Sequence, residues 1–227
     1  MLGALLALAR DWPRQAVGLV LGFGAGALIS AVSFELAAEG AREARSEWVA
    51  LGLGVGALTY YGLDGKVASM ASSGRGKERR GAGDSGGTAL ALGAFLDGIP
   101  EQAVLGIGIA AGEGVSAGLL AAIFVSNLPE AIGSASSMRA GGHGPRPILR
   151  LWGGVAIVCT LATVTGWALA DAAAGELKAV INGFAAGALI VMLVDSMVPE
   201  ATEKAGRTTG LITTLGFALA AGLSAMS

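Results

Sequence analysis

Two short stretches hold the acids most able to do chemistry in this chain. Leu96-Asp97-Gly98-Ile99-Pro100-Glu101 and Val125-Ser126-Asn127-Leu128-Pro129-Glu130 repeat one pattern at an offset of 29, each ending in an apolar residue, proline and glutamate. On a helix, Asp97 and Glu101 stand i,i+4 and share a face, as do Ser126 and Glu130, while Asn127 lies i,i+3 from Glu130. Each proline lacks an N–H and frees the carbonyl four residues earlier, Leu96 for Pro100 and Val125 for Pro129. The donors are therefore all oxygen or amide: carboxylate, hydroxyl, amide and liberated carbonyl. Such a set suits Mn²⁺, Fe²⁺, Mg²⁺ or Zn²⁺ better than Cu⁺. The single histidine, His143, falls in an expected loop. The single Cys159 reads as a small buried residue, with no thiolate cluster or disulfide framework to join.

Both motifs lie inside apolar runs, where ionisable side chains are costly and mark function. Asp97, Glu101 and Glu130 cannot all stay ionised in a low dielectric without a counter-charge, and neither run contains Lys or Arg. A divalent cation is the expected guest. The two runs are joined by a turn near Gly112-Glu113-Gly114, and each motif lies ~18–24 Å along the helix from it, so both reach a similar depth.

The elements that must position these groups are transmembrane helices. With 53% hydrophobic and 14% charged residues and a mean hydropathy of +0.66, the surface is not that of a soluble domain. Apolar runs at about residues 15–38, 47–64, 88–111, 115–138, 149–171, 177–200 and 208–226 are each long enough to cross a hydrocarbon core. Lacking strand alternation, they predict an all-α polytopic bundle of seven spans in one domain over residues 1–227. The opening MLGALLALAR has no small-residue cleavage site before Asp11 and is read as part of the mature protein. Glycine-rich runs such as Gly22 to Gly26 and Gly52 to Gly56 let helix backbones approach closely.

Alternating the connections between two sides leaves Arg42, Arg45 and Lys178 on one side and every other Lys and Arg on the opposite one. By the positive-inside rule the basic side is cytoplasmic, which predicts an inner-membrane protein with its N-terminus inside and its C-terminus outside. Residues 65–87 read as a flexible cytoplasmic linker. Its basic run has no interleaved aromatic residues, so it signals topology rather than nucleic-acid binding.

One helix recurs. Phe23-Gly24-Ala25-Gly26-Ala27-Leu28-Ile29 matches Phe184-Ala185-Ala186-Gly187-Ala188-Leu189-Ile190 at an offset of 161, and Glu39 matches Glu200. On the expected topology the two copies run oppositely, as in inverted-repeat transporters. Glu35, Glu39 and Glu43 form an i,i+4 acidic stripe near the outer end of the first span, a candidate entrance. Asp64, Asp195 and Glu200 are candidates for an exit relay toward the cytoplasm.

Together the twin Pro-Glu helices and the Phe-x-Ala-Gly-Ala-Leu-Ile helices make the chain resemble the ZIP (Zrt/Irt-like) family of divalent-metal transporters, especially its bacterial branch, over nearly its whole length. The resemblance implies that Asp97, Glu101, Ser126 and Glu130 form one metal site, with Gly98 and Asn127 at neighbouring second-site positions. It also implies eight helices grouped three, two and three. The family's common histidines are replaced here by Asp97 and Ser126, the fifth span offers no acidic ligand, and the first helix is missing or reduced to residues 2–9. The expected function is divalent metal transport of the Zn, Fe or Mn type, with uptake through the carboxylate site and no resident cofactor. The expected partners are the metal ion and the lipid bilayer, with the oligomeric state open between monomer and homodimer. Two alternatives remain at this level: an intramembrane aspartyl hydrolase using Asp97 and Asp195, and a non-transporting metal sensor or subunit of the same family.

Overall fold

The computed structural model describes residues 1–74, 98–99, 101–103, 105–110, 117–172 and 175–224. Among them the chain is helical throughout, with no strand. In chain order the helices are α1 (Leu2–Ala9), α2 (Arg14–Ala31), a π-helical segment Val32–Ala37, α3 (Ala38–Glu43) and α4 (Ser46–Gly74). There follow the helical turns between 98 and 110, here α5, then α6 (Ala117–Ala140), α7 (Pro145–Ala172) and α8 (Gly175–Met192). A second π segment, Leu193–Met197, leads into α9 (Val198–Ala205) and, after a short 3₁₀ turn at Gly206–Thr208, α10 (Thr209–Ser224).

Local chemistry sets several of these boundaries. α6 ends in a Schellman turn: Gly142, at φ +91°, donates its N–H to Arg139 and His143 donates to Met138. Pro145 then opens α7 at the position where a missing N–H costs nothing. Gly206, at φ +64°, ends α9 and donates its N–H to Thr202 O. The last carbonyls of α1 are covered by side chains, with Arg139 Nη1 donating to Ala7 and Leu8 and Trp12 Nε1 donating to Leu6. Arg139 Nη2 also pairs with Asp11, 2.6 Å away, so α1 is pinned to α6. At eight residues α1 is too short to span.

Three helix pairs are welded by glycine. In each, a missing Cβ leaves room for a backbone carbonyl. A methyl at Gly26 of α2 would lie 1.9 Å from Thr213 O of α10, and one at Gly216 2.1 Å from Phe23 O. Between α4 and α8 the corresponding distances are 1.9 Å for Gly56 to Phe184 O and 2.1 Å for Gly187 to Leu53 O. Between α5 and α7 they are 2.0 Å for Gly106 to Thr163 O and 2.1 Å for Gly166 to Ala103 O. Such close backbone approach replaces the hydrophobic drive that lipid does not provide. Residue numbers rise together along each pair, so its two helices run parallel.

The stretches 14–43 and 175–205 cross in opposite senses. Gly18 packs on Lys204 and Ala205, whereas Gly40 packs beside Ala179 and Asn182. α2 is the central helix, with Leu21, Ala25 and Leu28 fully buried and α6, α9 and α10 against it. α7 lies at the edge and exposes Ile157, Leu161, Val164, Trp167 and Leu169. An apolar face of that kind is what a hydrocarbon solvent requires.

Where the expected spans are described they are helical, and among the described residues three runs are both long and apolar enough to cross a membrane: Arg14–Phe34, Pro145–Leu169 and Gly175–Ser224. The last merges two expected spans around the Gly206 stop. α4 continues to Gly74 and so takes in the first ten residues of the stretch read as a linker. Val67, Ala68, Met70 and Ala71 are compatible with a helix, and the basic residues that suggested a linker come later. Residues 75–87 of that stretch lie outside the described residues.

Candidate metal site

Glu101 is the centre of the site. It is a carboxylate on α5 exposed to only 2%, and Asn127 of α6 donates its Nδ2 amide to Glu101 Oε2 at 2.6 Å. The same Nδ2 reaches Ile123 O, one turn back, at 2.9 Å, which holds the amide in place. The two Pro-Glu motifs therefore meet through one residue of each. The expectation that both lie at one depth is consistent with this contact. Pro129 is fully buried within α6, where it removes the hydrogen bond to Val125 O.

α7 closes one side. A methyl at Gly98 would stand 2.8 Å from Cys159 Sγ, so glycine there admits the thiol beside the motif. One turn further on, Thr163 donates to Gln102 Oε1 at 3.1 Å and also contacts Cys159 O at 3.2 Å. Sequence reasoning missed this α5–α7 contact, because Gln102 and Thr163 lie 61 residues apart and neither belongs to a motif. α1 closes another side, with Gly3 against Leu128 O and Ala131 of α6.

Asp97 lies outside the described residues, and Ser126 and Glu130 sit on α6 with side chains that are not described. Among the described residues no three His, Cys, Asp or Glu side chains converge. Glu35 falls in the first π segment and Glu39 in α3, each described at the backbone only. Of the exit candidates, Asp195 is exposed in the second π segment and Asp64 is half-buried on α4. The parallel α4–α8 register carries Asp64 toward the level of that π segment.

Glu200 is half-buried and ion-paired with Lys204, one turn along α9. Sequence reasoning took Lys204 only as one of the cytoplasmic charges; its i,i+4 spacing from Glu200 was the signal that could have found the pair. Asp64, Asp195 and Glu200 are not joined by any described contact.

In chemical terms the described part of the site is a buried carboxylate oriented by an amide, with neighbouring hydroxyl and thiol groups and a broken helical hydrogen-bond ladder. An anionic carboxylate at this burial is expensive without a cation. No protein-family model matches the chain. Among curated proteins it is 29% identical, over 208 residues, to an Arabidopsis thaliana protein described as "Putative zinc transporter". The match covers 90% of this chain and 33% of that protein, so the chain spans about a third of its relative's length.

Proposed function

We infer that this chain is a divalent metal cation transporter of the ZIP type, taking up Zn²⁺, Fe²⁺ or Mn²⁺ through a carboxylate site between α5 and α6. The observation that carries this reading is the nearly inaccessible Glu101 carboxylate held by Asn127 from the other Pro-Glu helix. The zinc-transport description of the Arabidopsis relative supports it.

Asp97, Glu101, Ser126, Asn127 and Glu130 are the proposed ligands, with the Val125 carbonyl released by Pro129 available beside them. Ions collect at Glu35 and Glu39 and leave past Asp195, Asp64 and Glu200. The 161-residue repeat acts as an inverted repeat, α2–α3 against α8–α9, around a site near the membrane midplane. The chain lies in the inner membrane with its N-terminus inside, and works by transport rather than catalysis.

The test is metal flux into proteoliposomes. Glu101→Ala and Glu130→Ala each abolish uptake of Mn²⁺, Fe²⁺ and Zn²⁺ on this reading, whereas native rates in both variants would sink it. Metal and protons also compete for the same carboxylate oxygens, so uptake falls as external pH is lowered into the carboxylate range.

A further inference from the structure

Lys204 occupies an unusual place for a lysine. Two glycines open the slot that holds it: a methyl at Gly18 of α2 would stand 2.6 Å from Lys204 Cβ, and one at Gly133 of α6 would stand 3.4 Å from its Nζ. Its ammonium pairs with Glu200, and the two side chains are only 17% and 25% exposed. Glu200 Oε1 lies 4.0 Å from the same Gly133 position. Gly133 is three residues beyond Glu130, or about one helical turn farther along the helix that carries the proposed ligands.

The repeat makes the placement informative. At the 161-residue offset Glu200 corresponds to Glu39, but Lys204 corresponds to Glu43. One end of the repeat carries an i,i+4 acid pair, and the other an acid with its own tethered cation.

Resting on the transport reading above, we propose that Lys204 is a built-in competitor for the transported ion at Glu200. Between transport events its ammonium neutralises Glu200. A departing divalent cation engages that carboxylate only while Lys204 is displaced, and the returning lysine expels it. Glu200 thereby serves as a low-affinity release point and not as a second trap. The competition is electrostatic and involves no covalent step: one ammonium and one divalent ion exclude each other at a carboxylate too enclosed to be neutralised by water alone.

The experiment uses the full chain in lipid nanodiscs for equilibrium binding of Mn²⁺ and Zn²⁺, and in proteoliposomes for flux of the same ions. Lys204→Met is expected to bind one more ion per chain than the native protein and to release ions about tenfold more slowly, the scale typical of coupling between two ligands. Adding Glu200→Gln to Lys204→Met removes the extra ion, and Lys204→Arg, which keeps the charge, restores release. Lys204→Gln serves as the second neutral variant where the methionine variant fails to insert. Native stoichiometry and native release in both neutral variants, with the wild type transporting, overturn the competitor role and leave the transport reading intact. A wild-type chain that moves neither ion overturns both.

Discussion

Residues 14–43 and 175–205 build the same framework and furnish it differently. Each begins with an 18-residue α-helix, passes into a π segment at the next position and ends in a short α-helix. The starts and ends of the long helices and the starts of the π segments all fall at the 161-residue offset of the sequence repeat. Each long helix is also glycine-welded to a parallel partner from the other half, α2 to α10 and α8 to α4. The chemistry diverges at the ends. The first stretch closes with Glu39 and Glu43, the second with Glu200 and Lys204. An outer exposed pair, Arg14 with Glu203, then ties the start of the first stretch to the end of the second. Backbone geometry is thus shared by the repeat, whereas charge is assigned end by end.

The sharpest way to break this comparison is to give the second stretch the charges of the first. Lys204→Glu places two carboxylates i,i+4 in a slot that excludes most water, and a loss of about 3 kcal/mol is expected from the broken, partly buried pair. A thermal midpoint in nanodiscs equal to wild type would mean that the slot is open to solvent.

Next in size are the seams. Gly26→Ala and Gly187→Ala each drive a methyl to within about 2 Å of a carbonyl oxygen, 1.9 and 2.1 Å respectively. Each should cost about 1–3 kcal/mol by overpacking, and by similar amounts if the two seams are equivalent. Gly54→Ala, with nothing within 4 Å of the added carbon, is the matched control and should leave the midpoint in place.

The exposed Arg14–Glu203 pair ranks lower. Both side chains are about two-thirds exposed (66% and 70%), so Arg14→Ala should change stability by less than about 1 kcal/mol and the difference should shrink in high salt. The smallest effect runs in the opposite direction. Glu43→Lys gives the first stretch the charge pattern of the second and should gain about 0.3–0.5 kcal/mol from an i,i+4 pair with Glu39, measured by the same unfolding midpoint.

One contact of the candidate site, Glu101 with Asn127, could be read before any fold was known. Glu101 and Asn127 come from two copies of one motif on consecutive runs joined by a short turn, and elementary helix rise is enough to bring them level. The positions of the long helices α2, α7 and α8 were legible from their apolar runs, whereas residues 2–9 were left open between a short helix and none. The meeting of Gly98 with Cys159 was not, nor was the bond from Thr163 to Gln102, because each joins α5 to a helix two elements later. Lys204 looked like an ordinary cytoplasmic charge until Gly18 and Gly133, on two other helices, were seen to enclose it.

Helices, their stops at Gly142 and Gly206, and the pairing of residues one turn apart follow from interactions between near neighbours along the chain. Such interactions are written in consecutive residues, and the apolar runs placed the helices, although neither glycine stop was among the expectations. Which glycine receives which carbonyl is a different matter. α2 joins α10 rather than the adjacent α4, and α8 joins α4 rather than the adjacent α7. Contacts of that kind need two backbones brought within van der Waals reach across up to about 190 residues of intervening chain, and only the packed bundle can specify such a distance.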